Sequence, residues 1–105
     1  MNKKEYFNDL ANKWDEITEH NKEKIKNIIK LVNLYSGAKV LDVGSGTGVL
    51  IPFIIPEIGS NGKLVCLDIS ENMLFKARKK FPKAIHPNID FICSDILNYE
   101  TDDKF

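Results

Sequence analysis

The chain has 105 residues, of which 43% are hydrophobic and 29% charged, and this composition suits one small globular domain. Fifteen basic residues balance fifteen acidic ones, so no net field draws the chain towards nucleic acid or a membrane surface, and neither is expected as a partner. No apolar run approaches the roughly 20 residues a membrane span needs. The polar, charged opening does not read as a secretory signal, so a cytoplasmic chain is expected, with Cys66 and Cys93 reduced and buried in their apolar runs.

Two helical patterns come first. Residues 3–19 place Tyr6, Phe7, Leu10, Trp14 and Ile17 at helical spacings. Residues 21–34 carry an apolar stripe of Ile25, Ile28, Ile29 and Val32 opposite a lysine-rich face, with Ser36-Gly37 as the stop. Lys39 to Val43 predicts a short strand, and a helix is expected from about Gly48 to Ile58, with Pro56 kinking or ending it. After the turn Gly59-Ser-Asn-Gly62, a strand is expected over 63–68. Ser70 caps a helix from Glu71 to about Phe81, and a strand follows over 89–93. Strands alternating with helices predict an α/β fold with parallel strands in spatial order three-two-one, and both connecting helices on one face.

Three elements carry chemistry. Gly44, Gly46 and Gly48 follow a strand and open the expected helix, where glycine permits a tight turn and close approach of a ligand. The helix N-terminus there is expected to offer free N–H groups and a positive partial charge. The spacing Gly-x-Gly-x-Gly differs from the dinucleotide pattern, and Asp42 stands two residues before the first glycine. A carboxylate there repels pyrophosphate and suits a ligand carrying an ammonium and a sulfonium. Asp68 closes the second strand, twenty residues past Gly48, where such folds place an acceptor for ribose hydroxyls. Asp95 follows the third strand, so Asp42, Asp68 and Asp95 are expected on one rim. Adenosine donors use the three carboxylates better than a metal does, and no metal is expected.

Val40-Leu-Asp-Val-Gly-Ser-Gly-Thr-Gly48 resembles motif I of the class I S-adenosylmethionine-dependent methyltransferases. Leu64 to Leu74 with Ala77-Arg78, and Phe91 to Ile96, resemble the next two segments of that family in order and spacing. The subgroup it looks like is the small ubiquinone/menaquinone-biosynthesis-like enzymes. The resemblance implies a Rossmann-like three-layer sandwich, of which this chain is the N-terminal half. Residues 1–35 would be a helical cap, and 36–105 the half-domain that binds S-adenosyl-L-methionine, with S-adenosylhomocysteine as product.

The resemblance also assigns roles. Asp42 and the Gly44, Ser45 and Gly46 backbone would hold the methionine moiety. Asp68 would take the ribose hydroxyls and Ile69 pack on adenine, while Asp95 accepts from the adenine amine and Ile96 offers its N–H and an apolar face. Met73 packs either near the adenine or in the core, and Tyr6 and Trp14 form either a lid or core. Transfer of a sulfonium methyl to a small-molecule acceptor needs alignment above all, so no catalytic residue is assigned. Lys76 to Lys80 reads as a solvated helix face, and His20 and His86 as exposed.

Relatives of this kind continue with a fourth strand that opens on a segment like Asp103-Lys-Phe105. The expectation is therefore a chain cut before that strand, with Val40 to Val43 left as an apolar edge through which copies self-associate. The alternatives to a transferase are a non-catalytic cofactor-binding fragment and an NAD-dependent oxidoreductase.

Overall fold

A computed structural model describes residue 27 and residues 29–105. The expected first helix, with Tyr6 and Trp14, and most of the second lie outside the described residues. Residues 29–32 are helical, ending at Asn33 in a left-handed conformation (φ 56°). This stop comes before the Ser36-Gly37 expected from the sequence. It leaves Val32 57% exposed, and Ile29 and Leu34 take the contacts with the core.

From there the elements are β1 (Lys39–Val43), α1 (Ile51–Ile58), β2 (Lys63–Asp68), α2 (Glu71–Lys80), β3 (Ile89–Cys93) and a 3₁₀ turn, Ile96–Asn98. The strands form one parallel sheet in the order β1-β2-β3, as the alternation of elements predicts. β2 is central, and its run Leu64 to Asp68 is buried throughout, as a strand covered on both faces requires.

Side chains alternate between faces, so the register puts Val40, Leu64 and Ile89 in one row of a face and Asp42, Cys66 and Phe91 in the next. Against this face α1 buries Ile51, Ile54 and Ile58, and Phe81 at the end of α2 joins the same cluster. Full burial of each such side chain is worth about 1.5–3 kcal/mol. Ser70 caps α2 through its Oγ, which accepts from the Met73 N–H at 3.2 Å.

Three expectations are corrected. α1 begins at Ile51, not Gly48, because Gly48 is held at φ 87°, outside the helical region. Pro56 lies inside α1, which runs two residues further and ends at Gly59 in a left-handed turn (φ 67°). Cys93, the last residue of β3, is exposed, whereas Cys66 in the central strand is buried. His86 is half-buried and meets the Phe81 ring edge-on with centroids 5.5 Å apart.

Candidate functional site

The site lies at the C-terminal ends of the three strands. Parallel strands leave their last backbone groups facing a common crevice, and the loops that follow fill or line it. The turn after β1 leans onto the end of β2. The N–H groups of Gly44 and Ser45 both donate to the Leu67 carbonyl, at 2.7 and 3.1 Å. The Gly46 N–H donates to Asp68 Oδ2 at 2.8 Å, and the Gly48 N–H donates to the Ser45 carbonyl at 3.1 Å. The end of β3 is tied in the same way, with the Ser94 N–H donating to the Asp68 carbonyl at 3.0 Å.

Gly44, Gly46 and Gly48 all hold positive φ, at 72°, 60° and 87°. A side chain is strained at each, and at Gly48 it is crowded as well. A Cβ on Gly48 would stand 2.8 Å from Ile51 Cδ1 and 3.4 Å from both Ala77 Cβ and Phe81 Cε2, so this glycine lets α1 and α2 close over the turn. A Cβ on Gly44 would meet nothing within 4 Å, so that position faces open space at the crevice.

The hydrogen bonds correct one expectation from sequence. Four loop N–H groups expected to be free for a ligand already have partners within the chain. The helix that would lend its dipole starts beyond the loop, at Ile51. The turn is therefore poor at holding a phosphate and rich in acceptors.

Asp42 and Asp68 meet beneath this turn. Asp42 is 9% exposed, and its Oδ2 is buried with no hydrogen-bond partner among the described residues. Burial pushes its carboxyl up from 3.8 to about 6, and the charge of Asp68 adds to the push. Cys66 is the neighbour of Asp42 in the register, and burial, with the Asp42 charge behind it, raises that thiol to about 12. The Ser45 hydroxyl is buried beside them, against the Cys66 thiol. Nothing in this cluster offers a cation to Asp42. A buried carboxylate oxygen without a donor is costly unless something supplies one.

Asp68 does work that sequence reasoning missed. Both its oxygens accept backbone N–H groups, Oδ2 from Gly46 and Oδ1 from Ser70 at 2.8 Å, so it fastens the β1 turn to the β2 turn. The signal was present in Asp68-Ile-Ser70, since an Asp often accepts from the N–H two residues on. Each oxygen keeps acceptor capacity for a further donor.

The other expected residues are more peripheral. Ile69 is half-buried between Asp68 and Ser70, and its carbonyl faces the Cys93 thiol at 3.6 Å. Asp95 is exposed, and its Oδ1 caps the 3₁₀ turn by accepting from the Leu97 N–H at 3.1 Å. Ile96 is 44% exposed on that turn. The structure thus bonds Gly46 to Asp68, sets the buried Asp42 and Ser45 beside them, and leaves Asp95 and Ile96 on the rim beside β3. No group of three potential metal ligands occurs among the described residues. Met73 is 4% exposed and belongs to the core.

Comparison with known proteins identifies the fold and the family. The chain is 31% identical over 103 residues to demethylmenaquinone methyltransferase of Staphylococcus saprophyticus, covering 93% of this chain and 43% of that protein. It is 39% identical over 67 residues to the protein of the same name from Listeria welshimeri, covering 64% and 28%. The chain thus spans about two fifths of the length of the Staphylococcus relative. Among solved structures, a SAM-dependent methyltransferase from Aquifex aeolicus superposes with TM-score 0.61 at 31% identity, covering 68% of this chain and 38% of that one. A SAM-dependent methyltransferase from Thiobacillus denitrificans, in complex with S-adenosyl-L-homocysteine, gives 0.63 at 26% identity, covering 78% and 33%. The family model that matches residues 2–105 is that of the ubiE/COQ5 methyltransferases, and the chain belongs to this family.

Proposed function

We propose that this chain binds S-adenosyl-L-methionine at the β1 turn and is the cofactor-binding part of a methyltransferase with a small-molecule acceptor. One observation carries the reading: the N–H groups of Gly44, Ser45, Gly46 and Gly48 are already bonded within the chain, and the Asp42 carboxylate beneath them is buried with Oδ2 unpaired. A crevice of that kind suits a cationic ligand. Bound there, the cofactor supplies an electrophilic methyl on a sulfonium.

The chain's own residues then bind and orient. Asp42, with the backbone of Gly44, Ser45 and Gly46, holds the methionine end, and open space at Gly44 lets the ligand approach. Asp68 takes the ribose hydroxyls on its remaining lone pairs. Ile69 and Ile96 flank the adenine, and Asp95 accepts from its amine. No side chain is assigned to proton transfer, because displacement at a sulfonium methyl depends on alignment. The printed name of the Staphylococcus and Listeria relatives points to a demethylmenaquinone-type acceptor.

Titration of the chain with S-adenosylhomocysteine and with NADH in parallel tests the reading. Saturable binding of the first alone is expected, and a preference for NADH overturns it. Transfer of a labelled methyl by a chain of the relatives' full length separates an enzyme from a binding module.

Three further readings belong to the proposal. Two free thiols suit a reducing cytoplasm. The balanced charge gives nucleic acid no footprint. β1 stands at the sheet edge among the described residues, with Val43 54% exposed, and supports self-association of this chain. Light scattering after size exclusion is expected to show mass rising with concentration, and a monomer throughout refutes that last point.

A further inference from the structure

We propose that the ligand's ammonium takes the place of a proton on Asp42, so that filling the site expels about one proton per ligand at mildly acid pH. This rests on the cofactor reading above and adds to it a coupling between binding and protonation.

The geometry makes Asp42 a poor place for a bare charge in the free chain. It lies on the covered face of β1, 9% exposed, with Oδ2 buried and unpartnered. The groups that face it among the described residues are all neutral or negative. From β2 come the Cys66 thiol and the Asp68 carboxylate, and from the turn comes the Ser45 hydroxyl. Asp68 cannot turn away to relieve the repulsion, because Gly46 and Ser70 hold both of its oxygens. The N–H groups of Gly44, Ser45, Gly46 and Gly48 do not turn in to help, because they are bonded to Leu67, Asp68 and Ser45. The free site therefore retains a proton at a pH where an exposed aspartate has lost it, with the carboxyl raised to about 6. An ammonium brought to the exposed side of the Asp42 carboxylate reverses the balance. It supplies the missing cation and donors together, and the proton leaves.

The consequence is an affinity that weakens in acid. With a carboxyl at about 6 when free and lowered by the ammonium when occupied, affinity falls by up to about tenfold between pH 7.5 and pH 5. Calorimetric titration with S-adenosylhomocysteine, which carries the ammonium, in buffers of different ionisation enthalpy reads both quantities. At pH 5.5 the release expected is about three quarters of a proton per ligand, and at pH 7.5 close to none. Asp42→Asn is expected to abolish the release and flatten the affinity profile. It retains His20 and His86, so a proton lost by either would persist in the variant. Carbon NMR of the Asp42 carboxyl gives a second reading that needs no variant, with a midpoint at about 6 that moves down when the site fills. Equal affinity at pH 5 and 7.5, proton release that survives in Asp42→Asn, or a carboxyl midpoint unmoved by ligand each overturns the coupling. Absence of binding at pH 7.5 refutes the cofactor reading, and the coupling with it.

Discussion

Gly44 and Gly48 share one turn and one sign of φ, yet alanine is expected to do different things at each. At Gly48 two costs combine. A Cβ at φ 87° carries left-handed strain, about 1–2 kcal/mol for an L-residue. The same Cβ would stand 2.8 Å from Ile51 Cδ1, with Ala77 and Phe81 at 3.4 Å closing the other directions. Ile51 is fully buried, so its side chain cannot swing aside without displacing the cluster around Leu64 and Cys66. Overpacking of this kind costs about 1–3 kcal/mol. Gly48→Ala is therefore expected to lose about 2–5 kcal/mol, a large share of a small domain's stability. Gly44→Ala carries the strain alone, since nothing lies within 4 Å of its Cβ, and is expected to lose about 1–2 kcal/mol. In ligand binding the order inverts among folded molecules, because the added methyl at 44 stands in the open space through which the cofactor approaches. Urea unfolding followed by circular dichroism gives the first comparison, and titration with S-adenosylhomocysteine the second. Equal stability losses at the two positions, or a Gly48→Ala chain within about 0.5 kcal/mol of the parent, refute this account of the turn.

Asp68→Asn keeps one acceptor oxygen and replaces the other with an amide donor, so either the Gly46 or the Ser70 N–H loses its partner. A loss of about 1–3 kcal/mol in the same urea assay is expected, and no loss contradicts the fastening role. Asp42 also links stability to pH. Its folded carboxyl, raised from 3.8 to about 6, favours the folded chain below pH 4, and that contribution disappears as pH rises through 6. Asp42→Asn is then expected to be more stable than the parent by about 2–3 kcal/mol at pH 7.5, with the gap closing towards pH 4. A gap that does not change with pH contradicts the assignment. The thiols are expected to separate in a labelling experiment at pH 8. Exposed Cys93 reacts with iodoacetamide in the native chain, while Cys66, buried and raised to about 12, reacts only on unfolding. Equal labelling in the native chain counts against this burial pattern.

Much of the architecture was legible before any coordinates. The apolar runs at 39–43, 63–68 and 89–93 are bounded by glycine, proline and acidic residues, and they became strands with the expected limits. Their alternation with helices was enough for the parallel order, since a crossover that packs back onto the sheet has one favourable hand. Ser70 was recognisable as a cap because its neighbours three residues on need an acceptor. The glycine spacing and Asp42 pointed to the family that the comparisons report. These signals are local or periodic, and a linear pattern carries them.

What remained hidden depends on contacts between distant residues. The sequence does not say that Gly46, twenty-two positions before Asp68, spends its N–H on that carboxylate. Nor does it say that the N–H groups of Gly44, Ser45, Gly46 and Gly48 are taken up within the chain, which leaves the turn fewer donors for a phosphate. The start of α1 moved to Ile51 because Gly48 must be left-handed to let Ala77 and Phe81 close in, and those neighbours come from another helix. Cys66 and Cys93 sit in similar apolar runs, but only the central strand is covered on both sides, so only Cys66 is buried. Periodicity chose the elements and the glycine motif with Asp42 pointed to the family, because each depends on a few neighbouring residues. Tertiary packing decided which donors remain free, which carboxylates share a buried space and which proton is held there, because hydrogen bonds and burial are settled only when the strand ends come together.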